Sequence, residues 1–419
     1  MPEKDFLTLL LVLLGLAHLW LQLYNRVLLN IPDGKLKEPT HLFSFIVIII
    51  LPTSYLLLFR NHPAIDQALS WAPNSWGSML YFSSFALIWI LMLWRFGLVV
   101  ADLAFPPTSH RVLADEKTNV AVRKPKSPLP EAFASLDSTF DLEFRDLELQ
   151  IRYLPTEFDG ISLLMVSDIH YETHPDWVRW YNELQSFCNN LNPDLVIFTG
   201  DFINHEDDLD AAMEYHAGFE GKIGKIGVLG NHDYWTRPKK IRTLCKRTGI
   251  QLVSQEPLIL KRNDRRLIFS GTDAPWNGRG VDSNSLCQRD ATDCLIYLSH
   301  TPDNAPLAAQ NDAYLILSGH THGGQLRLPV LGPIVVPSRY GRQFSDGLFD
   351  LNESSVLVVS RGVGCSRLGS VPTGGIRLAC RPEVLRITLR APFADIALRA
   401  KALKPVLATP TTAVSKISY

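Results

Sequence analysis

The sequence YLILSGHTHGGQ, residues 314–325, decides the fold class, because an apolar run leads directly into two histidines and a glycine pair. A short apolar run that stops at a glycine is typical of a buried strand. Alternate residues of an extended backbone share a face, so His320 and His322 would point to the same side. The segment predicts a strand whose carboxyl end presents two imidazoles to a common point.

Six further apolar runs follow the same design between residues 145 and 392. They read ISLLMVS, DLVIFTG, KIGVLG, RLIFSG, CLIYLS and SVLVVSRG. Residues 176–190 and 237–249, which lie between such runs, have the patterning of helices, and Gly249 is a stop signal for the second. Strands that alternate with helices predict an α/β domain.

Side chains able to bind metal follow five of the seven runs, where open α/β sheets place their sites. These candidate site residues, with the two residues that follow Asn231 included, are Asp168, His170, Asp201, Asn231, His232, Asp233, His300, His320 and His322. Any one motif is more often an ordinary turn or helix cap, whereas their ordered joint occurrence predicts a metal centre. Imidazole mixed with carboxylate suits Mn, Fe or Zn better than Ca or Mg, and Asp201 is the candidate to bridge two divalent ions.

The ordered motifs SDIH, TGDFIN, GNHD, SH and SGHTHGGQ resemble the calcineurin-like metallophosphoesterase family over about residues 160–392. The flanking segments SHTPD, LRLPVLG, VVSRGVG and RPEVLRITL resemble its membrane-associated bacterial branch. The resemblance implies a two-sheet β-sandwich flanked by helices, with two divalent metal ions between the sheet edges. It also implies a reaction in which metal-bound hydroxide attacks phosphorus.

The resemblance further implies a role for each motif residue. The two metal ions would share Asp201, with Asp168, His170 and His322 completing one ligand set and Asn231, His300 and His320 the other. His232 would be the acid that serves the leaving oxygen, and Asp233 would orient it. Outside the motifs, Arg339, Tyr340 and Arg361 are weaker candidates for binding a substrate phosphate.

The first 105 residues differ from the rest in charge, since they hold only 12 of the 83 Asp, Glu, Lys and Arg residues. Uncharged apolar stretches there predict about three transmembrane helices, near residues 6–24, 42–59 and 77–97, because about 20 residues span a bilayer. A cleaved signal peptide and buried helices of a soluble domain are the alternatives, and a count of two or four spans stays open.

Composition and charge set the remaining boundaries. Residues 1–105 would be the membrane anchor, 106–145 a proline-rich basic tether, 146–392 the catalytic domain and 393–419 a tail. Lys and Arg in the loops predict that the catalytic domain of this multi-pass protein lies on the cytoplasmic side. The branch resemblance implies that the membrane is a bacterial inner membrane. The 6 cysteines have no framework spacing, which favours free thiols.

The predicted function is a membrane-anchored, metal-dependent phosphoric ester hydrolase. It would cleave a phosphodiester, phosphomonoester or pyrophosphate bond of a lipid-linked substrate, with membrane lipids as partners. A UDP-2,3-diacylglucosamine-type pyrophosphohydrolase of lipid A synthesis is a sharper alternative, which rests on the branch resemblance. A non-catalytic membrane scaffold or lipid sensor is the alternative from another class. The formal net charge of −1 excludes a nucleic-acid specialist, which needs a strong basic excess.

Overall fold

The computed structural model describes residues 111–122, 127, 131–278, 290, 292–328, 332–333, 335–365 and 375–392. The three predicted transmembrane helices and the tail 393–419 lie outside these residues. Among the described residues, no helix is both long enough and apolar enough to cross a membrane.

The larger sheet has seven strands in the order β1-β2-β15-β3-β4-β5-β6. They are β1 (Val112–Asn119), β2 (Glu143–Gln150), β3 (Ser162–Val166), β4 (Leu195–Phe198), β5 (Gly224–Gly227), β6 (Ile250–Leu252) and β15 (Glu383–Arg390). Strands β3 to β6 run parallel, while β15 pairs antiparallel with β3 and parallel with β2. The carboxyl ends of β3, β4 and β5 therefore lie at one edge of this sheet.

The second sheet has six strands in the order β13-β14-β10-β9-β8-β7. They are β7 (Leu258–Arg262), β8 (Arg265–Thr272), β9 (Cys294–Ser299), β10 (Leu315–Ser318), β13 (Gly347–Asp350) and β14 (Val356–Val359). Strands β8, β9, β10 and β14 are parallel, so the carboxyl ends of β9 and β10 also meet at one edge. A separate two-stranded ribbon joins β11 (Arg327–Leu328) and β12 (Gly332–Pro333).

The described residues form six α-helices. They are α1 (Glu131–Ala134), α2 (Pro175–Asn190), α3 (Leu209–Ala217), α4 (Asn231–Thr236), α5 (Pro238–Arg247) and α6 (Ala305–Gln310). Buried side chains of α2, α3 and α5 pack on the larger sheet, and those of α6 pack on the second sheet. Helices α2 and α5 correspond to the two helical segments that the sequence predicts.

The core lies between the two sheets and under the helices. Leu163 and Met165 of β3 belong to the cluster between the sheets, together with Leu317 of β10, whereas Leu164 and Val166 face the helices. Both faces of these strands are thus buried, which explains why their sequences are apolar without interruption. Each such side chain stabilises the fold by about 1.5–3 kcal/mol through its removal from water. The predicted two-sheet sandwich flanked by helices is confirmed for the described residues.

The start of the domain differs from the sequence prediction. Residues 112–119, assigned to the tether, form β1 and pair antiparallel with β2, which itself begins at Glu143. The Arg145 guanidinium lies 2.7 Å from the Asp115 carboxylate across this pair, and Val112 packs against the core between the sheets. The tether prediction was wrong for this stretch because β1 reads VLADEKTN, an exposed edge strand with no apolar run to signal it.

Candidate metal centre

Both sheets contribute to a buried cluster of aspartate and histidine at their carboxyl edges. Ligand atoms that lie within 4.8 Å of one another form two groups: Asp168, His170, Asp201 and His322, and Asp201, His300 and His320. Asn231 Oδ1 lies 3.1 Å from His300 Nε2, which places it beside the second group. All seven predicted ligands therefore lie together, and the Asp201 carboxylate belongs to both groups.

The first group converges on one point. His170 Nε2 lies 3.0 Å from His322 Nε2 and 3.5 Å from Asp201 Oδ2, and His322 Nε2 lies 3.5 Å from Asp168 Oδ1. In the second group, His300 Nε2 lies 3.2 Å from both Asp201 Oδ2 and His320 Nδ1. Imidazole nitrogens mixed with carboxylate oxygens are a donor set that divalent transition metals accept.

Hydrogen bonds on the far side of the rings fix which nitrogen faces the cluster. His170 Nδ1–H donates to Asn204 Oδ1 at 2.7 Å, and His300 Nδ1–H donates to the Thr199 carbonyl at 2.7 Å. With the proton on Nδ1, the Nε2 atom of each neutral ring carries a lone pair toward the cluster. The residues present therefore fit divalent cations.

Electrostatics in the cluster favour an ionised Asp201 and a positive charge beside it. Burial raises the pKa of Asp201, but His300 and His232 outweigh it and hold that pKa well below the usual range. Burial lowers the pKa of His300, yet Asp201 and Asp168 raise it to about 9. Burial, then the nearby His300, lowers the pKa of His320 to about 3. The negative potential that raises the pKa of His300 equally attracts a metal cation.

Five of the seven ligand candidates have left-handed backbone, which side chains rarely adopt. The φ angles are 51° at Asp168, 47° at His170, 55° at Asp201, 71° at His320 and 51° at His322. Such conformations cost about 1–3 kcal/mol each and concentrate at functional sites, where the surrounding structure holds them. The strain therefore indicates a site selected for ligand geometry.

Glycines allow the cluster to close. A Cβ on Gly230 would lie 2.2 Å from Asp201 Oδ1, and one on Gly319 would lie 2.2 Å from Asp168 Oδ2. Neither position has room for a side chain, so both glycines serve the close approach of backbone to carboxylate.

Asp233 is hydrogen-bonded to the backbone around Asp201. Its carboxylate accepts hydrogen bonds from the backbone N–H groups of Asp201, Phe202 and Gly230, at 2.9 Å each. Burial, then the charge of Asp201, raises the pKa of Asp233 to about 8. These bonds make Asp233 a support of the loop that carries Asp201, and its role as an orienting partner of His232 stays a prediction.

His232 lies at the edge of the cluster, on α4. Its backbone N–H donates to Asp201 Oδ1 at 2.9 Å, and its ring centroid lies 4.5 Å from that of His170. The ring is close enough to act on a group bound at the cluster, and its catalytic role stays a prediction.

Asn204 and Glu172 are functional residues that sequence reasoning did not assign. Asn204 accepts from His170 and donates through Nδ2 to Glu172 Oε1 at 3.0 Å, and both residues are buried. The sequence contained a signal for Asn204, because this residue ends the TGDFIN motif. Its contacts with His170 and Glu172 could not be predicted without the fold.

Arg377 also supports the centre and has no sequence signal. It is fully buried, donates to the carbonyls of Gly364 and Arg361, and places a guanidinium nitrogen 3.2 Å from His322 Nδ1. Burial, His170 and Arg377 hold the pKa of His322 well below its usual value.

Two half-buried tryptophans flank the cluster. The Trp276 ring lies 5.4 Å from the His300 ring and 5.2 Å from the His320 ring, measured between centroids. On the other side, the Trp235 ring lies 4.9 Å from the His232 ring. Aromatic surface thus borders the rings of both groups.

The weaker phosphate-binding candidates make other contacts. Arg361 pairs with the carboxylates of Glu143 and Glu383, and its binding of a substrate phosphate stays a prediction. Arg339 is 74% exposed and lies 3.7 Å from Asp303. Tyr340 is 38% exposed and packs on Phe344.

A two-sheet α/β sandwich with joined Asp/His groups at the strand ends is the arrangement expected of a metal-dependent hydrolase. Residues 161–324 match the sequence model of the calcineurin-like phosphoesterases. The chain therefore carries a domain of this family, as its motifs predict, and is a metal-dependent phosphoric ester hydrolase.

Related proteins are described as metallophosphoesterases or phosphodiesterases. An uncharacterized metallophosphoesterase of Bacillus subtilis is 28% identical over 258 residues, 60% of this chain and 86% of the relative. A transmembrane protein with metallophosphoesterase domain of Danio rerio is 28% identical over 58% of this chain, which spans 56% of that relative's length. A phosphodiesterase of Escherichia coli is 26% identical over 54% of this chain and 82% of its own.

Proposed function

We propose that the chain is a membrane-anchored, dinuclear-metal phosphodiesterase whose substrate is linked to lipid. The observation that carries the proposal is the pair of ligand groups that share the Asp201 carboxylate. A shared carboxylate offsets the repulsion between two closely spaced divalent ions. The description of the E. coli relative as a phosphodiesterase supports a diester over a monoester or a pyrophosphate.

The chemistry divides between the ions and the protein. When bound, the ions would supply Lewis acidity and a nucleophile at neutral pH, with Asp168, His170 and His322 holding one and Asn231, His300 and His320 the other. Asp201, the candidate to be shared by both ions, is held in place by the backbone N–H groups of Asp201 and Phe202, which donate to Asp233. The protein thereby presents a fixed site to the phosphate.

His232 is the group that would move a proton. Its ring lies beside His170, and its backbone N–H is tied to Asp201, so it stays within reach of an ester bound at the ligand groups. In that position it would donate to the leaving oxygen, which then departs as an alcohol.

The membrane part of the proposal rests on the uncharged stretches of residues 1–105 and on the relatives described as transmembrane proteins. An enzyme held at a bilayer meets amphiphilic esters at high local concentration, which favours a phospholipid or another lipid-linked substrate. A UDP-2,3-diacylglucosamine-type pyrophosphohydrolase is one such candidate, supported by the branch resemblance of the flanking motifs.

The test uses the full chain in detergent with Mn²⁺ and bis-p-nitrophenyl phosphate, together with metal analysis. We expect hydrolysis and two metal equivalents per chain. Asp201→Asn should lose more than about 100-fold in kcat, since even changes to groups that only hydrogen-bond to ligands commonly cost about 10–100-fold. Asp210→Asn, at a carboxylate that is 78% exposed, is the matched control and should keep its activity.

Neither metal nor hydrolysis in the wild-type chain would overturn the enzyme proposal and leave the scaffold alternative. A panel of lipid phosphates then separates the substrate classes. Exclusive cleavage of water-soluble esters would contradict the lipid-linked substrate while leaving the phosphodiesterase intact.

A further inference from the structure

Helix α5 has one buried apolar face and one exposed basic face. Ile241, Leu244 and Cys245 are buried against the larger sheet. The exposed positions are Lys239, Lys240, Thr243, Lys246 and Arg247. Their spacing of three and four residues places them on one side of the helix. Four cations around a threonine, named here the α5 basic face, thus point to solvent.

The α5 basic face is only partly neutralised by the neighbouring acids. Lys240 lies 3.3 Å from Asp210 of α3, where both side chains are about half or more exposed and the pair is correspondingly weak. Within the described part of the chain, no ion pair is recorded for Lys239, Lys246 or Arg247. The helix itself contains no acidic residue.

One of these cations, Lys239, lies where it is unfavourable for the stability of the helix. Cations at the carboxyl end, Lys246 and Arg247, suit the helix dipole, so helix stability alone accounts for them. Lys239 stands in the first turn, where the dipole is positive and acidic residues are preferred, as Asp176 is in α2. Helix stability does not explain Lys239, whereas attraction to an external anionic surface does.

Helix α5 is joined to the candidate centre without an intervening loop. Arg237 ends α4 and begins α5, and α4 carries Asn231 and His232. Trp235 of α4 is half-buried and packs on the His232 ring. A tryptophan beside basic residues is typical of the boundary between a bilayer and water.

We propose that the α5 basic face docks on anionic phospholipid headgroups and so holds the domain, with the metal centre to which α4 contributes, against the bilayer. The inference rests on the proposed membrane location and deepens it. Charge complementarity supplies the attraction, at about fivefold in affinity per basic residue near an anionic surface, and salt weakens it. The predicted membrane spans place a lipid surface next to the domain, and the net charge of −1 speaks against a nucleic acid as the occupant.

The experiment is lysine footprinting of the full chain in nanodiscs, read by mass spectrometry after brief acylation. One set of discs contains phosphatidylcholine alone, and the other contains about one third phosphatidylglycerol. Lys239, Lys240 and Lys246 should be modified about fivefold more slowly in the anionic discs, and high salt should abolish the difference. The exposed Lys222 and Lys261, on other elements, should react equally in both.

A charge-reversal variant tests whether the protection depends on the charge of the α5 basic face. Lys246→Glu should restore much of the reactivity of Lys239 in anionic discs, whereas Lys222→Glu should not. Equal modification in both discs would overturn the proposal. Stronger protection of Lys239 by oligonucleotide or polyglutamate than by anionic lipid would assign the face to another partner. Footprinting does not depend on hydrolysis, so its failure and the failure of the phosphodiesterase proposal are distinguishable.

Discussion

The histidines of the candidate centre differ in what their second ring nitrogen contacts. His170 and His300 donate through Nδ1 to Asn204 and to the Thr199 carbonyl, which fixes their Nε2 atoms toward the cluster. His322 instead faces the Arg377 guanidinium. The residues behind His170 and His300 therefore set the orientation and the proton position of these two rings, and Asn204 does so through a side chain that can be changed.

Asn204→Ala removes the acceptor of His170 Nδ1–H. The ring would then be free to rotate or to move its proton, and we expect Mn²⁺ affinity and kcat to fall by about 10–100-fold. Titration of the metal-free chain with Mn²⁺ measures this. Asn204→Asp keeps an acceptor for His170 but loses the bond to Glu172, so its effect should be intermediate.

Asn189→Ala is the control for this prediction, because Asn189 makes comparable side-chain hydrogen bonds on an exposed part of the chain, to the Gly218 carbonyl and the Glu220 N–H. Unchanged Mn²⁺ affinity in Asn204→Ala would show that packing alone orients His170.

At the scale of elements, the sequence predicted the strands and helices whose burial leaves a repeating pattern. The run before each motif is a strand because both of its faces are covered, and α2 and α5 appear through their apolar stripes. Strand β1 was not predicted because it is stabilised by pairing with β2. Such pairing does not require an apolar run in the sequence. The roles of Arg377 and Asp233 depend on backbone carbonyls and amides brought together by folding, which no residue pattern encodes.

Helix α3 carries a buried histidine away from the ligands. His216 Nδ1–H donates to the Ala212 carbonyl at 2.6 Å, and the ring packs on Phe198 and Phe202. Burial lowers the pKa of His216 to about 4 from 6.5. Between these values the unfolded chain binds the proton and the folded chain does not, so His216 makes stability fall as the pH drops from 6.5 to 4.

His216→Phe should remove this acid sensitivity. From the pKa difference, the free energy of unfolding of the variant relative to wild type should rise by about 3 kcal/mol between pH 7.5 and pH 4. Urea unfolding followed by tryptophan fluorescence at both pH values gives the comparison. A constant difference between the two proteins across this range would show that His216 is not buried as a neutral ring.

At the scale of the whole domain, the two sheets are joined by the apolar core and also by the ligand cluster. Asp168, after β3, accepts from the His320 N–H at 3.0 Å, and Asp201, after β4, lies 3.2 Å from His300 of the other sheet. Each ligand group draws on both sheets. Cations bound there would tie the carboxyl edges of the sheets together, so metal binding and the stability of the sandwich should be coupled.

Removal of metal should therefore destabilise the whole domain rather than one loop. Mn²⁺ at about 100 times its Kd contributes about 2.7 kcal/mol, which raises Tm by about 5–10 °C for a domain of this size. Thermal unfolding of the chelator-treated full chain, with and without Mn²⁺, measures the shift. Asp201→Asn should show a much smaller shift because its shared ligand is lost, and Ca²⁺ should stabilise less because it prefers all-oxygen ligands. Equal shifts for wild type and Asp201→Asn would place the stabilising ions outside this cluster.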